Sequence, residues 1–194
     1  IPAGAVSAKE GAYRLGPGAP FFEALAAALG PLPLIAEDLG VVTPEVAALR
    51  ASFGFPGMRI LQFAFGDDVT QRPELFAEDS VAYTGTHDND TTLGWWRALP
   101  DEACQQVMRQ LGVHDPDAVP EAMIATVLQS PAALAILPLQ DVLRLGSEAR
   151  MNTPGTDNGN WTWRFEWEAL PPDLASRLLQ NNQKAHRCVT NPQS

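Results

Sequence analysis

The sequence predicts an α/β fold built on a parallel sheet, and two observations carry that expectation. Short apolar runs alternate along the chain with stretches of helix-forming residues, and strands separated by helices pair in parallel through right-handed crossovers. Each apolar run also ends in a polar pair: Glu37-Asp38 after LPLIA, Asp67-Asp68 after ILQFAFG, His87-Asp88 after VAYTGT and Gln140-Asp141 after AILPL. Four successive strand tips with polar clusters are the pattern of a (β/α)8 TIM barrel, whose strand ends share one face and hold the active site there.

The elements follow in order. IPAGAVSAKEGAYRLGPGAP is loop-like, opens without Met and reads as the interior of a longer protein. FFEALAAALG (Phe21–Gly30) is a helix of good formers stopped by its glycine. Pro31 and Pro33 end it, and Leu34-Ile35-Ala36 is a first short strand. TPEVAALRASFG is the next helix, with Thr43 as N-cap, Pro44 in the first turn and Gly54 at the end. MRILQFAFGDD is a second strand, apolar enough to be buried on both faces. SVAYTGTHD is a third. Helix runs from Asp101 through about Leu128, broken by Pro116 and Pro120. A fourth strand covers about Ala135–Pro138, with a short helix behind it. SEARMNTPGTDNGN is a long polar loop, of a length that loops usually reach only where they serve function. WTWRFEWEAL alternates Trp161, Trp163, Phe165 and Trp167, and DLASRLLQNNQKAHR is the closing helix.

Composition excludes several classes of partner. Thirteen basic against twenty-three acidic residues give a net charge of −10. No basic run is present, so neither nucleic acid nor an anionic membrane surface is an expected partner. No apolar stretch approaches the roughly 20 residues of a membrane span, and no signal peptide opens the chain. Cys104 and Cys188 match no metal spacing and no disulfide framework. The expectation is two reduced thiols in a cytoplasmic protein, with no metal and no cofactor; no glycine-rich nucleotide fingerprint follows any strand.

The stretch AYTGTHDNDTTLGWW concentrates chemistry in a chain with only three histidines and five tryptophans. Asn89 and Asp90 suit a helix N-terminus, where acids meet the positive end of the helix dipole. His87 and Asp88 lie one step earlier, where capping does not require them. Trp95, Trp96 and the alternating tryptophans near 161–167 are read as packing. Glu37 closes a buried strand, where a lone carboxylate costs free energy unless it is used. Carboxylates on neighbouring strand ends without metal ligands are the equipment of glycoside chemistry.

Three motifs, IAEDLGVVTPEVAALRASFGFPGMRILQFAF, YTGTHDNDTTLGWW and LGSEARMNTPGTDNGNWTWR, resemble in that order the C-terminal part of the amylomaltases, the 4-alpha-glucanotransferases or disproportionating enzymes. The resemblance implies a partial (β/α)8 TIM barrel, about strands five to eight with their helices, and a single domain over 1–194 that is the C-terminal half of a catalytic barrel. It implies transfer of α-1,4-glucan segments between maltooligosaccharides by a retaining mechanism. Glu37 takes the place of the general acid/base and Asp88 that of the acid stabilising the transition state. His87, Asp67 and Asn152 correspond to sugar-contacting positions.

The family nucleophile is an Asp in an Arg-x-Asp-His stretch at the end of barrel strand four, and no aspartate of this chain lies in such a stretch. The resemblance therefore places the nucleophile upstream of Ile1, and the isolated chain is expected to be inactive. Two other readings stand beside transfer: a hydrolase of the α-amylase superfamily using the same carboxylates, and an inactive half-barrel that binds glucan. An exposed half-barrel face with two open sheet edges is also expected to favour self-association.

Overall fold

The computed structural model describes residues 1–66 and 68–188. The chain divides into two compact units, Ile1–Pro56 and Gly57 onward. The expectation of a single unit over the whole chain takes no account of that division.

The first unit contains two helices. α1 spans Ala19–Leu29, enters through Gly18 (φ 62°) with Pro20 in its first turn, and ends at Gly30 (φ 76°), whose N–H bonds Ala26 O. Both glycines hold positive φ, which a side chain would disfavour. α2 spans Pro44–Ser52 behind the expected cap, Thr43, whose Oγ1 accepts from Val46 N. Phe22, Phe53 and Phe55 form a three-ring knot with centroids 5.2–5.6 Å apart. No described residue of this unit is fully buried.

The first expected strand does not form. Leu34–Ala36 is irregular, with one link of strand type, Ala36 N to Pro56 O at 2.9 Å. Leu34 N donates back to Leu32 O and Asp38 N to Ala36 O, so tight local turns flank the segment in place of a ladder. Glu37 follows it and is exposed, so the buried strand end expected there is absent.

The second unit holds the sheet: β1 (Gly57–Ile60), β2 (Ser80–Tyr83) and β3 (Leu134–Ile136). The strands are parallel in the order β1-β2-β3, with Gly57 opposite Ser80 and Val81 opposite Leu134. Parallel pairing agrees with the expectation; among the described residues three strands form where four are expected. β1 is shorter than its apolar run suggests, because Leu61–Phe63 turn into a 3-10 helix that buries Leu61. A continuous apolar run marks burial but not the point where a strand ends.

Helices α3 (Thr92–Ala98), α4 (Asp101–Leu111) and α5 (Val119–Gln129) follow β2. The break between α4 and α5 begins at Gly112 (φ 67°), where a left-handed residue closes the helix. Pro116 opens a 3-10 turn as a breaker should, whereas Pro120 interrupts nothing: it occupies the first turn of α5, where no N–H is needed. α5 packs against β2, α3, α4, α6 (Leu139–Val142) and α7 (Leu174–Lys184). Val119, Met123 and Val127, four residues apart, face one cluster with Leu61, Ala82, Trp96 and Val107. Ile124 and Leu128 face a second, with Val142 and Leu174. The helix thus buries two stripes and organises the core.

Trp96 sits in that core and Trp95 packs on Phe65, as expected for a packing pair. Asn89 and Asp90 do not cap α3. Thr91 does, its Oγ1 accepting from Gly94 N at 3.1 Å.

Candidate active site

The polar groups of the second unit gather beyond the carboxyl ends of β2 and β3. A cleft of about 150 Å³ there is lined by the turn after β2, by Pro138, Gln140 and Asp141 after β3, and by Arg150, Met151 and Trp161 from the long loop. Parallel sheets place ligand sites on this side, because the loops leaving neighbouring strands converge there.

The turn after β2 is braced from within. Asn89 Oδ1 accepts from both the N–H and the hydroxyl of Thr86, at 2.9 and 2.8 Å. Asp90 accepts from Thr91 N and from Ser147 Oγ, each at 2.7 Å, while its carbonyl accepts from Gln62 Nε2. Gly94 is needed beside this contact: a Cβ there would stand 2.3 Å from Ser147 Oγ.

That bracing presents His87 and Asp88 outward, each side chain about half exposed. His87 Nε2 lies 3.3 Å from Asp88 Oδ1. The same oxygen accepts from Asn152 Nδ2 at 2.6 Å, and Asn152 N donates to His87 O at 3.1 Å. Arg150 closes the cluster, donating from Nη2 to Asp88 O at 2.7 Å and from Nε to Asn152 O at 2.8 Å. Three of the expected residues, His87, Asp88 and Asn152, therefore meet although Asn152 is 64 positions from Asp88 in the chain. A half-exposed carboxylate oriented by an amide can accept hydroxyl hydrogen bonds and favour positive charge that develops beside it.

Beneath the cleft lies a second acid with a different role. Asp141 is 2% exposed. Thr84 Oγ1 donates to its Oδ2 at 2.5 Å and Thr92 N to its Oδ1 at 2.6 Å. It joins the end of β2, the first turn of α3 and α6. Burial pushes its carboxyl above the usual range, with Asp90 adding to the push, while the bonds from Thr84 and Thr92 pull the other way. The polar tip Gln140-Asp141 is thus a structural tie on the Asp141 side, and Gln140 bonds Ala149 O.

Asp67 lies outside the described residues. Glu37 belongs to the first unit, where its neighbour Asp38 pairs with Arg50 at 3.6 Å. Among the described residues no three His, Cys, Asp or Glu side chains converge as a metal would require. The sequence carries no distinct signal for Arg150, inside EARMN, or for Trp161, which alternates with other aromatic residues. Trp163, Phe165 and Trp167 do stack on one another, but Trp161 lies instead 5.0 Å, centroid to centroid, from His87.

Residues 1–170 match the family model described as 4-alpha-glucanotransferase. The chain belongs to the 4-alpha-glucanotransferase family. It is 47% identical over 182 residues to a 4-alpha-glucanotransferase of Synechocystis sp., which covers 92% of this chain and 36% of that protein. It is 46% identical over 157 residues to the chloroplastic/amyloplastic 4-alpha-glucanotransferase of Solanum tuberosum, covering 80% and 27%. Its fold is similar to that of an amylomaltase from Streptococcus agalactiae in complex with acarbose, with a TM-score of 0.84 at 31% identity, over 91% of this chain and 36% of the other. The chain spans about a third of the length of these 4-alpha-glucanotransferases. Among the described residues no helix is long and apolar enough to cross a membrane. The expected cytoplasmic location draws no support from the potato relative, which is named for plastids.

Proposed function

We propose that this chain carries one part of the active site of a 4-alpha-glucanotransferase that passes α-1,4-glucan segments between maltooligosaccharides with retention at the anomeric carbon. The observation that carries the reading is the Asp88 carboxylate, half exposed and oriented by Asn152 and by His87, which lines the cleft on the carboxyl side of the sheet. The family membership supports the reaction class, and the acarbose complex of the Streptococcus agalactiae amylomaltase supports an oligosaccharide-like ligand. Three parallel strands in chain order suit a segment of a (β/α)8 barrel.

In this mechanism Asp88 accepts hydroxyl hydrogen bonds that strengthen as the sugar gains oxocarbenium character. His87 and Asn152 hold that carboxylate and present donors of their own. Asp67 is assigned to sugar contact. Glu37 gives a proton to the departing chain, then takes one from the incoming hydroxyl, so that one carboxyl serves both halves of the double displacement. The nucleophile belongs to an Arg-x-Asp-His stretch that this sequence does not contain. The 194-residue chain therefore binds glucan and does not turn it over by itself. Its two thiols do not pair with each other, which suits a reducing compartment such as the cytoplasm.

The test incubates purified chain with maltotriose and separates the products by chromatography. We expect no new oligosaccharides. Adding, as a separate polypeptide, the part of the Synechocystis relative that lies outside the match should yield longer ones, and Glu37→Gln should abolish them. Turnover by the chain alone, or undiminished turnover with Glu37→Gln, would overturn the residue roles. Glucose and maltose without longer products would replace transfer by hydrolysis.

A further inference from the structure

We infer that Trp161 is the stacking platform of a glucosyl subsite, next to the position served by His87, Asp88 and Asn152. The inference rests on the glucan reading above and names a ligand contact that the reading does not use.

Three observations converge on this residue. Trp161 is 54% exposed although it lines the cleft. Its backbone has φ 61°, a left-handed conformation in which a bulky residue is an outlier. Such conformations persist where the surrounding structure over-determines them, and they cluster at ligand sites. Here the determinants are visible. Trp161 N donates to Met151 O at 2.7 Å, and Arg164 Nη1 donates to Trp161 O at 3.1 Å. The preceding loop is tied by Asn160, whose Oδ1 accepts from Thr153 N and whose Nδ2 donates to Thr156 O and Oγ1.

A merely packed tryptophan would turn its indole into the core, as Trp96 does. Trp161 instead leans on His87 with its ring tilted 38° and leaves much of its surface to solvent. The axial C–H groups of a glucosyl ring form an apolar patch with outward-pointing positive hydrogens. The face of an indole carries the complementary negative charge. Hydroxyls at the edge of the same oligosaccharide then reach the polar rim formed by Asp88, Asn152 and His87. An aromatic wall with few placed polar groups is the usual composition of such a site.

The experiment uses the 194-residue chain with maltoheptaose, measuring affinity by calorimetry and saturation transfer to the sugar C–H protons by NMR. Trp161→Ala should weaken binding about tenfold or more, the scale of a buried aromatic anchor. Trp161→Phe should stay within about threefold, since it keeps an aromatic face. Trp167→Ala, exposed and outside the cleft, should change nothing. Trp161→Gly separates binding from structure: glycine accepts the positive φ, so this variant should melt no lower than the parent yet bind as poorly as Trp161→Ala. If the alanine and glycine variants bind like the parent while Asp88→Asn does not, the platform is wrong and the glucan reading stands. If the glycine variant melts well below the parent, Trp161 is a packing residue and the inference falls. If the parent chain binds no maltoheptaose, the glucan reading for this chain fails and takes the platform with it.

Discussion

Two aspartates that each follow a strand of the sheet, Asp88 after β2 and Asp141 after β3, differ in role at the residue scale. Asp88 is half exposed and oriented from the side; Asp141 is buried and oriented from two sides. Asp141 carries a pH prediction. Its folded-state pKa is raised, chiefly by burial, above the unfolded value of about 3.9. The folded state therefore holds this proton more tightly than the unfolded state. The resulting stabilisation is complete below the unfolded value and is lost as pH rises through the folded one. In Asp141→Asn the amide oxygen still accepts from Thr92 N and the amide nitrogen can donate to Thr84 Oγ1, but nothing titrates. The melting temperature of Asp141→Asn relative to the parent should therefore climb as pH rises above the unfolded value of about 3.9. A difference that stays flat as pH rises would mean that Asp141 is not a titrating buried acid.

At the scale of elements, α5 decides whether the second unit holds together. It buries Val119, Met123 and Val127 on one side and Ile124 and Leu128 on the other. Met123 is fully buried between α5 and the rest of the larger cluster. Met123→Ala should cost about 2–5 kcal/mol in denaturant unfolding of this unit, the range for a large-to-small core change. A loss under about 0.5 kcal/mol, the surface range, would contradict the packing described. The helices of the first unit stand in contrast. α1 and α2 contain no buried residue, and their aromatic knot is only half buried. Backbone amides under few buried contacts open at low free energy. Hydrogen exchange should accordingly be faster in α1 and α2 than in β2 and α5, and equal protection in all four would refute this ranking.

The whole molecule combines a small sheet with open edges. β3 is one edge, and its alternate residues Leu134 and Ile136 are exposed by 53% and 41% while Ala135 packs inward. Exposed apolar residues on an edge strand invite pairing with another chain. The expectation of self-association is therefore tested at β3. Lysine at both positions should lower the apparent mass in sedimentation at high concentration, whereas a parent chain that stays monomeric there would remove the reason for it.

Local chemistry alone specified much of this protein. The helices were legible because their signals are short-range: Thr43 before Pro44, glycine at the ends, helix formers between. The cluster of His87 and Asp88 was legible because two functional groups stood where capping needed neither. The strand-tip pattern marked Glu37 and Asp67 too; the resemblance gave them roles and added Asn152, which spacing could not supply. What only the tertiary structure decided depends on partners distant in sequence. Leu34–Ala36 has strand composition but makes one link of strand type, to Pro56, and no ladder, so it forms no strand. Pro120 reads as a breaker until its position in the first turn of α5 makes its missing N–H harmless. Asp88 and Asp141 look alike along the chain, and only burial against Thr84 and Thr92 separates a structural tie from an exposed acid. Arg150 and Trp161 carry no short-range signal either, because their contacts with Asp88 and His87 span more than sixty positions, a separation that sequence patterns of turn and period do not encode.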